Sequence, residues 1–260
     1  MMAKQARECL IVGNWKMYKT IDEAVAFIDQ IAPIAKTASC KVMLAVPFTA
    51  IKTLSDKASG TNIIIGAQNM NDAKEGAFTG EVAALMLKNA GAQFVLIGHS
   101  ERRQLFHEDN AFINRKVLRA FDAGLNPLLC VGESFEERQE NKTEDVLKEQ
   151  LTQCLQGVTA DVIKTLTIAY EPVWAIGTGL AASSEQASNA MKQCRDVLEL
   201  FYDAKTVRDV PLLYGGSVNA QNAENYLNND GIDGLLIGSA SLATDSFAKI
   251  ISLRQNSTNE

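Results

Sequence analysis

Eight short apolar runs recur along the chain, at residues 9–12, 42–46, 63–67, 94–97, 127–131, 166–169, 211–214 and 235–237, and they narrow the folds open to it. None has the clean apolar-polar alternation of a strand with one wet face, so they read as strands buried on both faces of a parallel sheet. Parallel strands need long crossovers, and helix-length polar-apolar segments lie between the runs. Residues 21–34 place Ile21, Ala24, Val25, Ile28, Ile31 and Ala32 on one stripe, the spacing of a helix lying on a sheet. Thr79 or Gly80 is expected to start a helix running through Leu87. Segments 100–123 and 136–155 are long, charged and amphipathic and end near Gly124 and Gly157. Ser183-Ser184-Glu185-Gln186 has capping-box spacing ahead of a helix over 187–204, and segments 219–228 and 241–253 complete the series.

Eight such units in 260 residues, without a long linker or a break in composition, predict an α/β fold: a single (β/α)8 barrel of eight parallel strands, one domain spanning residues 1–260. The alternative, an open doubly wound sheet, requires a glycine-rich dinucleotide turn after an early strand, and the sequence has none. A hydrophobic fraction of 47% and a charged fraction of 22% exclude a disordered chain, and no stretch reaches the ~18 apolar residues of a membrane span. The net charge of -6 argues against a nucleic-acid partner, but local donors rather than overall charge decide whether a pocket takes an anion. Cys9, Cys40, Cys130, Cys154 and Cys194 are odd in number and widely spaced with no CxxC pair, which suggests neither a disulfide framework nor a zinc cluster and places the chain in a reducing, cytoplasmic setting.

In such a barrel the site is built where the strands end, so the residues just after each run carry the chemistry. After the first run come Asn14 and Lys16, two apart; in extended backbone they point the same way and set a neutral donor beside a cation. Lys16 alone also fits a surface lysine. After the fourth run His99 precedes Ser100, a plausible N-cap, and a positive imidazole is disfavoured at a helix start. A neutral His99 donates a hydrogen bond there; a packing role is the alternative. His107 has no such position. Cys130 reads as a small buried residue rather than a nucleophile. After the sixth run Glu171 is followed by Pro172, which restricts it to an extended conformation, and by Ala175 to Gly179, a glycine-bounded loop suited to a lid. A glutamate after a strand also fits a solvated loop. Gly215-Gly216-Ser217 and Gly238-Ser239 follow the seventh and eighth runs, where backbone N–H groups commonly hold phosphate.

With these pieces in order, the chain resembles the triosephosphate isomerase family from Gly13 to about Leu242. The resemblance is carried by Gly13-Asn14-Trp15-Lys16-Met17, Gly66-Ala67-Gln68-Asn69, Gly76-Ala77-Phe78-Thr79-Gly80-Glu81, Ile97-Gly98-His99-Ser100-Glu101-Arg102-Arg103, Cys130-Val131-Gly132-Glu133, residues 170–179 and Tyr214-Gly215-Gly216-Ser217-Val218. It implies a glycolytic and gluconeogenic isomerase that interconverts dihydroxyacetone phosphate and D-glyceraldehyde 3-phosphate without cofactor or metal. It also implies Glu171 as the base, His99, Lys16 and Asn14 as donors to the enediolate, and Glu101 as the partner of Lys16. The N–H groups of Gly177, Ser217, Gly238 and Ser239 are implied to hold the phosphate. The family's long loop, here Asn69 to Gly80 with an exposed Phe78, implies a homodimer with Thr79 near the partner's Asn14 and His99.

Two positions depart from the family. Gly238-Ser239 replaces paired glycines, which keeps the N–H donor, so phosphate binding is expected to be near normal. Leu180-Ala181-Ala182 replaces a commoner Lys-Thr-Ala and bears on lid opening. A different phosphosugar isomerase or epimerase, or a non-catalytic scaffold or surface-binding barrel, is the rival reading; the first usually needs a second acid-base residue or a metal cluster, and neither is evident.

Overall fold

A computed structural model describes residues 8–176 and 180–254. Eight parallel strands close into a barrel in sequence order: β1 (Leu10–Asn14), β2 (Lys41–Val46), β3 (Ile63–Ala67), β4 (Phe94–Ile97), β5 (Asn126–Val131), β6 (Thr167–Tyr170), β7 (Leu212–Tyr214) and β8 (Gly234–Ile237), with β8 paired back to β1. The register gives each strand two apolar faces. Leu10, Val12, Met43, Ala45, Phe94, Leu96, Leu128, Cys130, Ala169, Leu213 and Leu236 fill the lumen, and the residues between them pack outward against the helices. This two-sided burial is why the runs lack polar alternation. Gly66 is required here: a Cβ at that position would stand 2.3 Å from the Phe94 ring, which occupies the space instead. Burying a side chain the size of Phe94 contributes roughly 1.5–3 kcal/mol.

The helices are α1 (Ile21–Thr37), α2 (Ile51–Lys57), α3 (Ala84–Asn89), α4 (Ser100–Leu105), α5 (Asn110–Ala123), α6 (Phe135–Gln139), α7 (Thr143–Cys154), α8 (Ser184–Leu198), α9 (Ala204–Asp209), α10 (Ala223–Leu227) and α11 (Thr244–Ser252). α1 opens on a capping box between Thr20 and Glu23 and buries Ala24, Phe27, Ile28, Ile31 and Ala35, whereas Ile21 is exposed. The capping box ahead of α8 is formed by Ser183 and Gln186, so this helix starts earlier than expected, and it ends at Leu198 rather than 204.

Two expected long helices are each divided. Segment 100–123 breaks at His107, with φ of 55°, and restarts where the Asp109 side chain accepts from Phe112 N–H. Segment 136–155 breaks at Asn141, with φ of 58°. Helix α3 begins at Ala84, not near Thr79, because Gly80 has φ of 93° and stands outside helical space. Helix α2 was not anticipated, and the two final segments shorten to α10 and α11. Among the described residues no helix is long and apolar enough to cross a membrane.

Candidate active site

Parity along the strands decides which side chains meet at the C-terminal rim of the barrel. Val12 faces the lumen, so Asn14, two residues on, faces it too; Ala169 faces it, and so does Glu171. Both are buried, at 4% and 2% exposure. Glu171 continues the edge of β6 by donating its N–H to Val131 O at 2.7 Å, and Pro172 then turns the chain with φ of -61°. Glycines clear the space around it. A Cβ on Gly132 would meet Glu171 O at 1.8 Å, and one on Gly215 would meet Glu171 Cγ at 2.9 Å.

After β1 the backbone departs from the expected extended form. Lys16 has φ of 51°, and its N–H donates to Asn14 Oδ1 at 3.0 Å. That bond takes up the Asn14 amide oxygen and so sets which way the amide is turned. The Lys16 ammonium forms an ion pair with Glu101 on α4, and its Cε lies 3.5 Å from where a Gly238 Cβ would stand.

His99, not Ser100, is the N-cap of α4: Glu101 N–H donates to His99 Nδ1 at 3.2 Å. Ser100 is the first helical residue, and its N–H donates to Glu171 Oε2 at 3.1 Å. With Nδ1 accepting, the neutral ring carries its proton on Nε2, which stands 3.1 Å from Glu171 Oε1. Arg103 buttresses this turn by donating to Gly98 O at 2.8 Å and Cys130 O at 3.3 Å.

The electrostatics follow from this arrangement. Burial pushes the Glu171 carboxyl up, but the imidazole of His99, the Ser100 N–H and the Lys16 charge together hold it below the usual glutamate value. Burial pulls the His99 imidazole down, and the facing Glu171 and nearby Glu101 outweigh it, leaving the value raised. That rise depends on Glu171 occupying its present position. Cys130 is fully buried against Glu171, and burial followed by the carboxylate's charge drives its thiol well up, as suits a packing residue.

Asn14, Lys16, His99, Glu101 and Glu171 are thus brought within one hydrogen-bonded group. Ser217 and Gly238 are half-buried and Ser239 is exposed, at the ends of β7 and β8. Gly177 lies outside the described residues. Sequence reasoning assigned no role to the Ser100 N–H, Gly132, Arg103 or Glu133, and it marked Gly215 as part of a phosphate turn, whereas the structure shows it clearing space for Glu171 Cγ. Glu133 is fully buried and accepts from Tyr170 Oη and Trp174 Nε1, each at 3.0 Å, while its carbonyl takes Val173 N–H at 3.0 Å. The signal for it was present: a carboxylate following the β5 run next to a glycine.

A profile of the triosephosphate isomerase family matches residues 9–254. Triosephosphate isomerase of Protochlamydia amoebophila is 50% identical over 250 residues, covering 96% of this chain and 95% of its own. The enzyme of that name from Alkaliphilus metalliredigens is 44% identical over 245 residues, covering 94% and 99%. A crystal structure of triosephosphate isomerase from Bartonella henselae superposes with a TM-score of 0.86 at 37% identity, covering 95% of this chain and 98% of that one.

Proposed function

The chain belongs to the triosephosphate isomerase family, interconverting dihydroxyacetone phosphate and D-glyceraldehyde 3-phosphate, and from that premise we propose that Glu171 is its base. What carries this reading is the contact of a buried carboxylate with His99 Nε2, 3.1 Å away, at the lumen end where Asn14 and Lys16 also face. Glu171 removes a proton from C1 of dihydroxyacetone phosphate. The C–H electron pair becomes the C1–C2 double bond, and charge develops on O2. The same carboxylic acid then returns the proton to C2, while the hydroxyl proton on O1 crosses to O2, giving the aldehyde.

A carbon acid is weak, so most of the barrier lies in stabilising the enediolate, and donors placed beforehand at the oxygens serve that end. His99 Nε2–H, the Lys16 ammonium and Asn14 Nδ2 are those donors, and Glu101 positions Lys16. As Glu171 turns from His99 toward carbon, the pull that raised the imidazole lapses, and burial with the Glu101 N–H favours the neutral ring. The N–H groups of Gly177, Ser217, Gly238 and Ser239 take the phosphate. Proton transfer alone is required, so the reaction needs neither metal nor cofactor.

The whole chain acts as one barrel domain in the cytoplasm and works as a homodimer. A cavity of about 220 Å³ beside Asn14, Lys16, Gln68, Asn69, His99 and Glu101 supports the last point. It offers a seat for the loop Asn69 to Gly80 of a second copy, bringing that copy's Thr79 toward Asn14 and His99.

The test is direct. Purified protein in chelator is mixed with D-glyceraldehyde 3-phosphate, and formation of dihydroxyacetone phosphate is followed by NMR, alongside Glu171→Gln. A general base is worth roughly 100- to 10,000-fold, and the variant is expected to lose at least that much in kcat. Equal rates for the two proteins would remove Glu171 from the mechanism.

A further inference from the structure

At the opposite, N-terminal end of the barrel, two cysteines distant in sequence become neighbours. Leu10 pairs with Lys41 across β1 and β2, so Cys9 and Cys40 stand one step earlier in the same register, joined by the Lys41 N–H to Cys9 O bond of 2.8 Å. Both point outward, packing in the layer between barrel and helices with Ile11 and Val42. Paired parallel strands lie ~4.7–4.9 Å apart, within the ~4.4–6.8 Å Cα spacing that a disulfide spans. Both thiols are free in this structure. We propose that Cys9 and Cys40 form a thiol–disulfide exchange site for small disulfides of the glutathione class, with Cys9 as the attacking sulfur and Cys40 as the resolving one.

The surroundings distinguish the two sulfurs. Cys9 is half-buried, whereas Cys40 is 6% exposed. Arg254 is pinned beside the pair, its carbonyl accepting from both Ser39 N–H and Ser39 Oγ at 2.6 Å. Hydrogen bonding from the Cys40 thiol, together with the Arg254 charge, lowers the Cys9 thiol against its burial and the opposing Asp233, while the same contact and burial raise Cys40. The thiolate is the nucleophile in exchange, so the asymmetry sets the order of events. A cavity of about 640 Å³ lined by Glu8, Cys40, Lys41, Ser59 and Asn62 runs along the Cys40 side of the pair, beside the residue that precedes Cys9.

The steps balance without any other oxidant. Cys9 thiolate attacks one sulfur of glutathione disulfide, forming a mixed disulfide and expelling one glutathione thiolate. Cys40, giving its proton to solvent, attacks the Cys9 sulfur and expels the second. Two protein thiols are oxidised and one glutathione disulfide is reduced to two thiols. The product ties β1 to β2 around α1.

The experiment incubates the native, fully reduced chain with glutathione disulfide, quenches by alkylation and maps all five cysteines by peptide mass spectrometry, with Cys9→Ser and Cys40→Ser in parallel. A peptide linking Cys9 to Cys40, reversed by dithiothreitol, is expected to form about tenfold faster or more than any modification of Cys130, Cys154 or Cys194. Cys40→Ser is expected to trap one glutathione on Cys9, and Cys9→Ser to leave Cys40 unmodified. Recovery of Cys9 and Cys40 as free thiols, a stable adduct on Cys9 of the parent without linkage, or equal reactivity at the buried cysteines would each overturn the proposal. Unfolded, reduced chain serves as the control that every peptide is detectable.

Discussion

Glu171 carries an energetic signature besides its chemistry. Its carboxyl is held below the usual glutamate value when folded, first against burial by His99, then by Ser100 N–H and Lys16. The unfolded chain therefore binds the proton more readily, and stability rises with pH across the interval between the two values. The stabilisation is full above the unfolded pKa and is lost as pH falls through the lower, folded one. The denaturant midpoint of the parent should accordingly fall toward that of Glu171→Gln as the solution is taken from above the carboxylate range to below it. A pH-independent gap between the two would contradict the geometry. Gly215 tests the clearance around the same residue. With a Cβ only 2.9 Å from Glu171 Cγ, Gly215→Ala has to displace the carboxylate proposed as the base. Misplacement by about 1 Å costs on the order of 100-fold in rate, so kcat should drop by that order while the thermal midpoint stays near the parent's. Unchanged kcat would show that the carboxylate has slack.

Elements were legible from the sequence to different degrees, for physical reasons. All eight strands stood out because packing against both lumen and helices demands apolar residues at consecutive positions, as in Ile63–Ala67. Rim positions such as Asn14 and Glu171 followed from the strand ends. Helix limits did not, because the breaks at His107 and Asn141 rest on positive φ at residues other than glycine, which composition does not announce. The clearance given by Gly132 and Gly215 and the Ser100 N–H were equally hidden, since neither an absent side chain nor a backbone donor has a side-chain signature. The segment after β6 shows how elements hold one another. Its near end is tied through Trp174 to Glu133, and beyond it Ala182 is held on both sides, its N–H by Tyr214 Oη at 3.1 Å and its carbonyl by Tyr226 Oη at 2.6 Å. Removing a buried donor leaves its acceptor unpaired at roughly 1–3 kcal/mol. Tyr226→Phe should lose stability of that size in chemical denaturation and alter kcat with little change in the thermal order of the barrel strands. A loss within error in both would mean that Ala182 O finds water instead.

For the whole molecule the open question is what covers its apolar rim. Met17 is 94% exposed, Leu105 70%, Phe106 61% and Phe78 51%, and Met17 and Phe106 line the cavity that also touches His99 and Glu101. Scattered exposed apolar residues need no explanation, but Met17, Phe48 and Phe106 meeting His99 and Glu101 at one cavity mark an interaction surface. A second copy is the occupant argued above, because the loop bearing Phe78 is long, and a two-fold contact puts each loop at the other's cavity. In the proposed dimer, assembly bears on rate, since a loop seated in that cavity would lie beside the Lys16 and Glu101 pair of the other copy. Phe78→Asp buries a charge in that contact and should give a monomer in sedimentation while the circular dichroism of the barrel is retained. Displacing the donors by about 1 Å on release of the loop should lower kcat on the order of 100-fold. A monomeric variant with full kcat would separate assembly from catalysis and leave the apolar rim without a role in the reaction.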